Sequence, residues 1–285
     1  MENYGVTFKR IRIGKGMTQK EVCLGIISQG NYSKFESGEN PDIKVSILQA
    51  LLLRLNLPMD EFFYIHNGYK SHEKIAIQRT LYESLYNDPH MLEIQLQRAK
   101  DYLQREPNDQ DIQLTAQMIE GLIVLAKTSD FEQTRKLVEP IWEKLSKRNE
   151  LLVSDIYMLN NILFVFPLET AMDIMQFLLS KIERYDNYRF VKRMHYSLVL
   201  NASLLQIRAQ QYAYAIDLLD TILPDLQLNG LYAQLAIGYI RKGICLNNLF
   251  KDGSKWIKKG KRILLAVELH EMWNKIEEEI KKYAN

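Results

Sequence analysis

The sequence predicts an all-α protein with two helical domains, and three observations lead to this prediction. Helix breakers are scarce, with 13 glycines and 7 prolines in 285 residues, below the usual shares of about 7% and 5%. No Asn-Gly or Asp-Gly turn stands between two segments of alternating polarity, so hairpin signals are missing. Apolar residues recur instead with the three-to-four-residue spacing of helices, in short segments up to residue 66 and in longer segments from residue 67 onward.

Composition and charge exclude several classes of protein. With 47% hydrophobic and 25% charged residues, the chain is typical of globular domains and not of disordered ones. Cys23 and Cys245 lie too far apart in sequence for a disulfide framework, and no cysteine or histidine spacing suits zinc. The N-terminus lacks a signal peptide, and no apolar segment is long enough to cross a membrane. We therefore expect a cytoplasmic protein without metal or cofactor.

The first helix is predicted over Tyr4 to Gly14. A capping box over Thr18-Gln19-Lys20-Glu21 starts the second helix, because the Thr18 hydroxyl can accept from the Glu21 amide while the Glu21 carboxylate reaches back. Val22, Cys23 and Ile26 point inward, and the helix is expected to end near Ile27.

The third helix is predicted from Gln29 to Ser37, with Ser28 as its N-cap and Gly38 as its stop. Tyr32 and Phe35, three positions apart, share its buried face. A fourth helix is predicted over Val45 to Leu55, and a fifth short one carries Phe62 and Phe63. These five helices form a predicted first domain over residues 1–66.

The second predicted domain, residues 67–285, is a TPR-like α-solenoid of helical hairpins. The first helices of successive hairpins start near residues 109, 151, 188 and 231, close to the period of known helical repeats. The predicted helices are 71–86, 89–105, 109–127, 131–147, 151–164, 168–185, 188–208, 212–226, 231–250, 254–267 and 269–283.

Residues 18–38 have the pattern of a helix-turn-helix, with a polar outer face on the second of its two helices. In that geometry the first helix meets a phosphate with its N-terminus, and the second helix enters the major groove. Amide side chains there suit adenine, whereas a lysine suits guanine or a phosphate. The simpler alternative is a three-helix corner with a capping box. The residues predicted to bind DNA are Thr18, Gln19, Ser28, Gln29, Asn31, Ser33 and Lys34.

The charge distribution agrees with DNA binding. Residues 1–35 hold six basic and two acidic residues, so they carry +4. The chain as a whole carries +2, which leaves −2 for everything after residue 35. A basic segment of this kind is typical of a phosphate-binding domain.

The same residues resemble a known family. Residues 18–38 resemble the Cro/repressor-type helix-turn-helix. More specifically, the Gly25-Ile26-Ile27-Ser28 turn followed by Ser33-Lys34-Phe35-Glu36-x-Gly38-Glu39 resembles the Rgg/GadR/MutR transcriptional regulators of Gram-positive bacteria. The resemblance implies a quorum-sensing receptor that binds a short secreted peptide on the concave side of its repeats. The sequence departs from the family at Gly30-Asn31-Tyr32, where members more often have a serine and a leucine, so no operator sequence is carried over.

Asparagines recur towards the C-terminal half of three predicted first helices. They carry a helix-propensity cost, yet their amides can clamp an extended peptide. Hydrogen bonding between helices or at caps is the alternative. Arg189, Arg193 and Arg241 suit a peptide carboxylate, although ordinary ion pairs are the simpler interpretation of each. The residues predicted to bind peptide are Asn160, Asn161, Asn201, Arg193 and Asn247.

Two further segments allow two interpretations each. Residues 251–262 hold six basic residues and one acidic residue, which favours a solvated helix start over a second nucleic-acid patch. The amphipathic last helix, 269–283, either caps the solenoid or forms a dimer contact.

The predicted function is that of a homodimeric transcriptional regulator that binds a palindromic operator in double-stranded DNA and senses a short hydrophobic peptide. No membrane partner is expected. The alternative is an interaction scaffold whose repeats bind a protein and whose first domain has no DNA specificity. An enzyme is not expected, because no GxSxG, P-loop, HExxH or Cys/His pair occurs in the sequence.

Overall fold

The structure is a computed structural model that describes residues 3–83, 88–185 and 191–284, apart from the side chains of residues 79–83. Every regular element in these ranges is helical, and the all-α prediction is confirmed. The chain divides into two compact units, residues 1–81 and residues 82–285. The boundary predicted after residue 66 lies within the first of these units.

The first unit begins with five short helices. Two of them, α1 and α3, have the predicted ends. A sixth helix follows them in the chain. The helices are α1 Tyr4–Gly14, α2 Gln19–Cys23, α3 Gln29–Ser37, α4 Val45–Arg54, α5 Met59–His66 and α6 Glu73–Glu83.

The second helix is shorter than predicted. It ends at Cys23, four residues before the predicted end at Ile27. The backbone leaves the helical conformation at Leu24 (ψ 120°), and Gly25 adopts a left-handed conformation at φ 73° that glycine tolerates at little cost. The prediction was wrong at this point because the apolar spacing continues through Ile26 after the helical hydrogen bonds have ended.

Aromatic rings form the centre of the first unit. Phe8 of α1 lies 5.4 Å from Phe35 of α3 and 4.7 Å from Phe62 of α5, measured between ring centroids. All three are buried, so α1, α3 and α5 share one core. Gly5 brings α1 close to α3, since a Cβ atom at this position would lie 1.8 Å from the carbonyl oxygen of Phe35.

The second unit is a series of longer helices with two 3-10 turns, Leu163–Val165 and Glu183–Tyr185. The helices are α7 Pro89–Arg105, α8 Gln110–Thr128, α9 Phe131–Leu145, α10 Val153–Ile162, α11 Leu168–Ile182, α12 Val191–Arg208, α13 Tyr212–Leu228, α14 Tyr232–Asn248, α15 Ser254–Ala266 and α16 His270–Tyr283. The predicted helix ends at 84–86 and 188–190 lie outside the described residues.

The helix predicted over 151–164 is shorter in the structure. It starts at Val153, because the Asp155 carboxylate accepts a hydrogen bond from the Leu152 amide at 3.0 Å and so caps the first turn. It ends at Ile162 and continues as a 3-10 turn. Pro167 lies just beyond this turn, and a proline disfavours helix in the residue before it.

Each helix from α7 to α16 packs against the next one along the chain, as expected of helical hairpins. The even-numbered helices also contact one another in a row, from α8 through α10, α12 and α14 to α16. The first four of them, α8, α10, α12 and α14, are the first helices of the predicted hairpins. They therefore form one continuous layer, and residues that recur in them meet across it. Among the described residues, no helix is apolar over a length that would cross a membrane.

Candidate functional site

The capping box predicted at the start of α2 is present. The Thr18 hydroxyl accepts a hydrogen bond from the Glu21 amide at 3.2 Å, and the Glu21 carboxylate accepts from the Thr18 amide at 2.7 Å. These hydrogen bonds from Thr18 lower the pKa of the Glu21 carboxyl. The N-terminus of α2 is therefore fixed in place, with its first amides at the surface.

The third helix presents a polar outer face. Its N-cap is Ser28, whose hydroxyl accepts from the Asn31 amide at 3.3 Å, and Gly38 ends it in a left-handed conformation. Tyr32 and Phe35 are buried beneath it. The side chains of Gln29, Asn31, Ser33 and Lys34 are exposed. Within the described residues, none of these four side chains makes a hydrogen bond.

A buried ion pair holds α3 against α1. Arg12 donates from Nε and Nη2 to the two carboxylate oxygens of Glu36, at 2.7 and 2.8 Å. Gln19 Nε2 donates to the same carboxylate at 2.9 Å. Burial alone would raise the pKa of the Glu36 carboxyl, but the hydrogen bonds from Arg12 and Gln19 and the positive charge of Arg12 outweigh it, and the pKa is lowered. Three helices thus meet at one carboxylate behind the exposed face of α3.

Gln19 and Arg12 are the two residues whose roles differ most from the sequence analysis. Gln19 was predicted to lie at the helix N-terminus that meets a phosphate, and in this structure its side chain is half-buried and bonded to Glu36. Arg12 was counted as surface charge, but it is buried against Glu36. No local sequence signal points to this pair, because its partners lie 24 positions apart.

Arg54 was also missed by the sequence analysis. It donates from α4 to the backbone oxygens of Glu21 and Leu24, at 2.7 and 2.9 Å. These are carbonyl groups at the C-terminal end of α2, where a cation is favourable. Arg54 therefore fixes the turn that sets α3 at its angle to α2.

The remaining basic residues of the first 35 lie at the surface. With Arg12 neutralised internally, the exposed cations are Lys9, Arg10, Lys15, Lys20 and Lys34. They belong to the same unit as the polar face of α3, which is the charge distribution that attracts phosphates.

In the repeat layer, two of the predicted peptide-binding asparagines bond to each other. Asn201 Nδ2 of α12 donates to Asn160 Oδ1 of α10 at 2.9 Å. Asn160 is buried, and Asn201 is half-buried. The 41-residue spacing of the two asparagines matches one hairpin, so this bond joins neighbouring hairpins in the layer.

A second polar link also joins neighbouring helices of this layer. Arg241 of α14 is buried, donates to the carbonyl oxygen of Leu200 in α12 at 2.6 Å, and pairs with Glu279 of α16 at 2.7 and 2.9 Å. The sequence analysis weighed Arg241 as a partner for a peptide carboxylate against an ordinary ion pair. The structure places it in an ion pair within the repeats.

The other predicted peptide-binding residues lie apart from this link. Asn161 Nδ2 donates to the Tyr157 carbonyl within its own helix at 2.9 Å, and Asn247 Oδ1 accepts from the Gly253 amide at 2.8 Å. Arg193 is exposed on α12, and Arg189 lies outside the described residues. Peptide contact by these residues stays a prediction.

Two protein families match the chain. Residues 8–62 match the helix-turn-helix family. Residues 152–278 match the family described as the C-terminal domain of the HTH-type transcriptional regulator Rgg. The first match contains α2 and α3, and the second contains the repeat layer from α10 to α14.

Solved structures with the same fold extend over nearly the whole chain. A transcriptional regulator of Listeria monocytogenes EGD-e is 20% identical, with a TM-score of 0.74, over 99% of this chain and 97% of that one. The SHP pheromone receptor Rgg2 of Streptococcus dysgalactiae is 18% identical, with a TM-score of 0.69, over 98% of this chain and 99% of that one. PlcR of Bacillus thuringiensis, solved with the peptide PapR7 and DNA, is 17% identical, with a TM-score of 0.69, over 96% of this chain and 98% of that one. The helix-turn-helix match thus lies in the first unit and the Rgg C-terminal match in the second, and the fold of the whole chain is similar to that of these solved structures.

Proposed function

We propose that the chain is a transcriptional regulator that binds a specific operator in double-stranded DNA and senses a short hydrophobic peptide. Residues 1–66 would bind the DNA, and residues 67–285 would bind the peptide and form the homodimer. We place its action in the cytoplasm and assign it no enzymatic reaction.

The exposed face of α3 carries the DNA-binding part of the proposal. Gln29 and Asn31 present amide groups that no contact among the described residues uses, and a bidentate amide contact to adenine needs both its donor and its acceptor free. Lys34 extends the same face towards a base or a phosphate. A homodimer would place two such helices about 34 Å apart, on successive turns of a palindromic site.

The repeat layer supports the peptide-binding part. Asparagines recur in its helices at an interval of one hairpin. Solved structures with this fold include PlcR with the peptide PapR7 and a PrgX/cCF10 complex that is 18% identical to this chain with a TM-score of 0.63. A peptide that prefers one arrangement of the repeats would shift the population of that arrangement, and through it the DNA-binding activity.

Selection of bound duplexes from random DNA tests the first part. The full-length protein should enrich a palindromic sequence, whereas a scaffold without DNA specificity would enrich none. Thermal denaturation against a library of synthetic hydrophobic peptides tests the second part. A peptide present at a hundredfold excess over its Kd should stabilise the protein by about 2.7 kcal/mol. If no peptide of the library stabilised the protein, peptide sensing would be contradicted.

A further inference from the structure

The segment around α15 concentrates positive charge. Residues 251–267 hold six basic residues and one acidic residue, which is a net charge of +5. The whole chain carries +2, so the other residues together carry −3. The positively charged segment 251–267 is not part of the proposed DNA-binding face of α3.

Four of the basic residues form one stripe along the helix. Lys255, Lys258, Lys259 and Arg262 occupy positions i, i+3, i+4 and i+7, which lie on one side of an α-helix. All four are exposed. The opposite side of α15 includes buried Leu264.

An acidic residue, Asp252, lies near the start of this stripe: hydrogen bonds from Ser254 lower the pKa of its carboxyl most, and the charges of Lys255 and Lys258 lower it further. Within the part of the chain that the structure describes, Lys255, Lys258 and Arg262 form no ion pair with a carboxylate. Lys259 packs over the ring of Tyr239 at 4.1 Å and donates to its hydroxyl at 3.0 Å. This contact orients the Lys259 stem and leaves its charge without an acidic partner.

The helix that carries the stripe is held rigidly against α14. A Cβ atom at Gly260 would lie 2.6 Å from the carbonyl oxygen of Ala236, and one at Gly253 would lie 2.0 Å from that of Gly243. Glycine thus permits the two backbones to approach closely at the start and in the middle of α15. The basic stripe therefore lies on a well-packed helix, and the backbone positions of its residues keep a constant spacing.

We propose that this stripe binds the phosphate backbone of double-stranded DNA, as a contact separate from α3. Seven residues of helix rise about 10 Å, which matches about three phosphates along one strand of the duplex. Lysine and arginine side chains that contact phosphates do not distinguish one base sequence from another. The contact would therefore add affinity and no sequence preference. The proposal does not depend on base recognition by α3. Phosphate binding by the stripe and base recognition by α3 can therefore each be disproved without the other.

The test compares the full-length protein with the variant K255Q/K258Q/R262Q, using fluorescence anisotropy of a labelled random-sequence duplex at several salt concentrations. Each lost phosphate contact makes the slope of log K against log salt shallower by about 0.9. We expect the variant slope to be shallower by up to about 2.7, with weaker binding at low salt.

The matched control is R98Q/R135Q/K147Q, which removes the same net charge from helices α7 and α9 and the loop after α9. Among the described residues, none of these three cations forms an ion pair. The control should keep the wild-type slope, and circular dichroism should show both variants folded. Equal slopes for the two variants would overturn the proposal. Loss of binding to phosphatidylserine vesicles by the stripe variant, with duplex binding at the control level, would also overturn it and assign the stripe to a membrane surface.

Discussion

Glu36 of the third helix receives two hydrogen bonds from Arg12 of the first helix, at 2.7 and 2.8 Å, and both side chains are buried. The pair lies directly behind the exposed residues proposed to read DNA. Because a bidentate guanidinium–carboxylate contact fixes both distance and orientation, it sets the angle at which α3 is presented.

Removal of one partner of this pair should destabilise the protein strongly. Arg12→Ala leaves the Glu36 carboxylate buried without its main partner, a change that typically costs about 3–5 kcal/mol. Urea denaturation of the full chain measures the free energy of unfolding. Glu39→Ala, at an exposed neighbouring position, is the control and should change it by no more than about 0.5 kcal/mol. Equal effects of the two substitutions would contradict a structural role of the pair.

The same pair predicts a dependence of stability on pH. The pKa of the Glu36 carboxyl is lowered by its hydrogen bonds, so the folded state favours the charged form. The stabilisation is complete above the ordinary value of 4.5 and is lost as the pH falls through the lowered pKa of the folded state. Denaturation of the wild type and of Glu36→Gln at several pH values should show a difference that shrinks in acid. A difference independent of pH would be inconsistent with a charged Glu36.

Gly5 should tolerate no side chain. In Gly5→Ala the new Cβ would lie 1.8 Å from the Phe35 carbonyl oxygen, so α1 and α3 must separate, and we expect a loss of at least about 1–3 kcal/mol. Gly14→Ala is the matched control in the same helix, where no atom lies within 4 Å of the new Cβ. It should be neutral or stabilising by about 0.5–1 kcal/mol. Thermal melts compare the two variants with the wild type. If Gly5→Ala melted at the wild-type temperature, the close approach of α1 to α3 would be contradicted.

Caps and periodicity made most helix ends in the first unit predictable. Thr18, Ser28 and Gly38 are local signals, and the structure has α2 and α3 starting where these residues indicate. The end of α2 was missed because the apolar residue Ile26 lies in a turn around Gly25 and still packs against the core. The spacing of apolar residues indicates which residues are buried. A buried turn can therefore show the same spacing as a helix.

In the repeats, Arg241 should behave as a structural residue. Arg241→Ala would leave Glu279, which is only 12% exposed at its side chain, without its partner, and we expect a loss of about 3–5 kcal/mol. Lys281→Ala is the control on the same terminal helix, since its pair with Glu277 is largely exposed and worth at most about 1 kcal/mol. Chemical denaturation followed by circular dichroism compares the two. A smaller loss in Arg241→Ala than in the control would contradict the buried pair.

The bond between Asn160 and Asn201 can be measured by a double-mutant cycle. Single and double substitutions to alanine should show a coupling energy of about 0.5–1.5 kcal/mol in the free energy of unfolding. If these asparagines also clamp a peptide, the single variants should weaken peptide binding by more than they destabilise the fold. Absence of coupling in unfolding would show that the bond between the hairpins contributes nothing measurable.

The recurrence of asparagine in the repeats was visible in the sequence, but its partners were not. Asn160 and Asn201 lie 41 residues apart, and Arg241 and Glu279 lie 38 apart, so each pair forms only when hairpins stack in register. The hairpin period was predicted to within a few residues, which is too coarse to match individual side chains. Arg12 and Arg54 were not assigned to their partners because these lie 24 to 33 positions away in the sequence.

The most direct test of the account is the preference of the protein for its selected DNA sequence over a scrambled duplex, measured by gel shift at fixed salt. The wild type should prefer the selected sequence by about a thousandfold or more. Asn31→Ala should reduce this preference by about 1–3 kcal/mol, which is roughly 5- to 150-fold, whereas Gln49→Ala, at an exposed position of α4, should leave it unchanged. An equal preference in all three proteins would contradict the reading of DNA by α3.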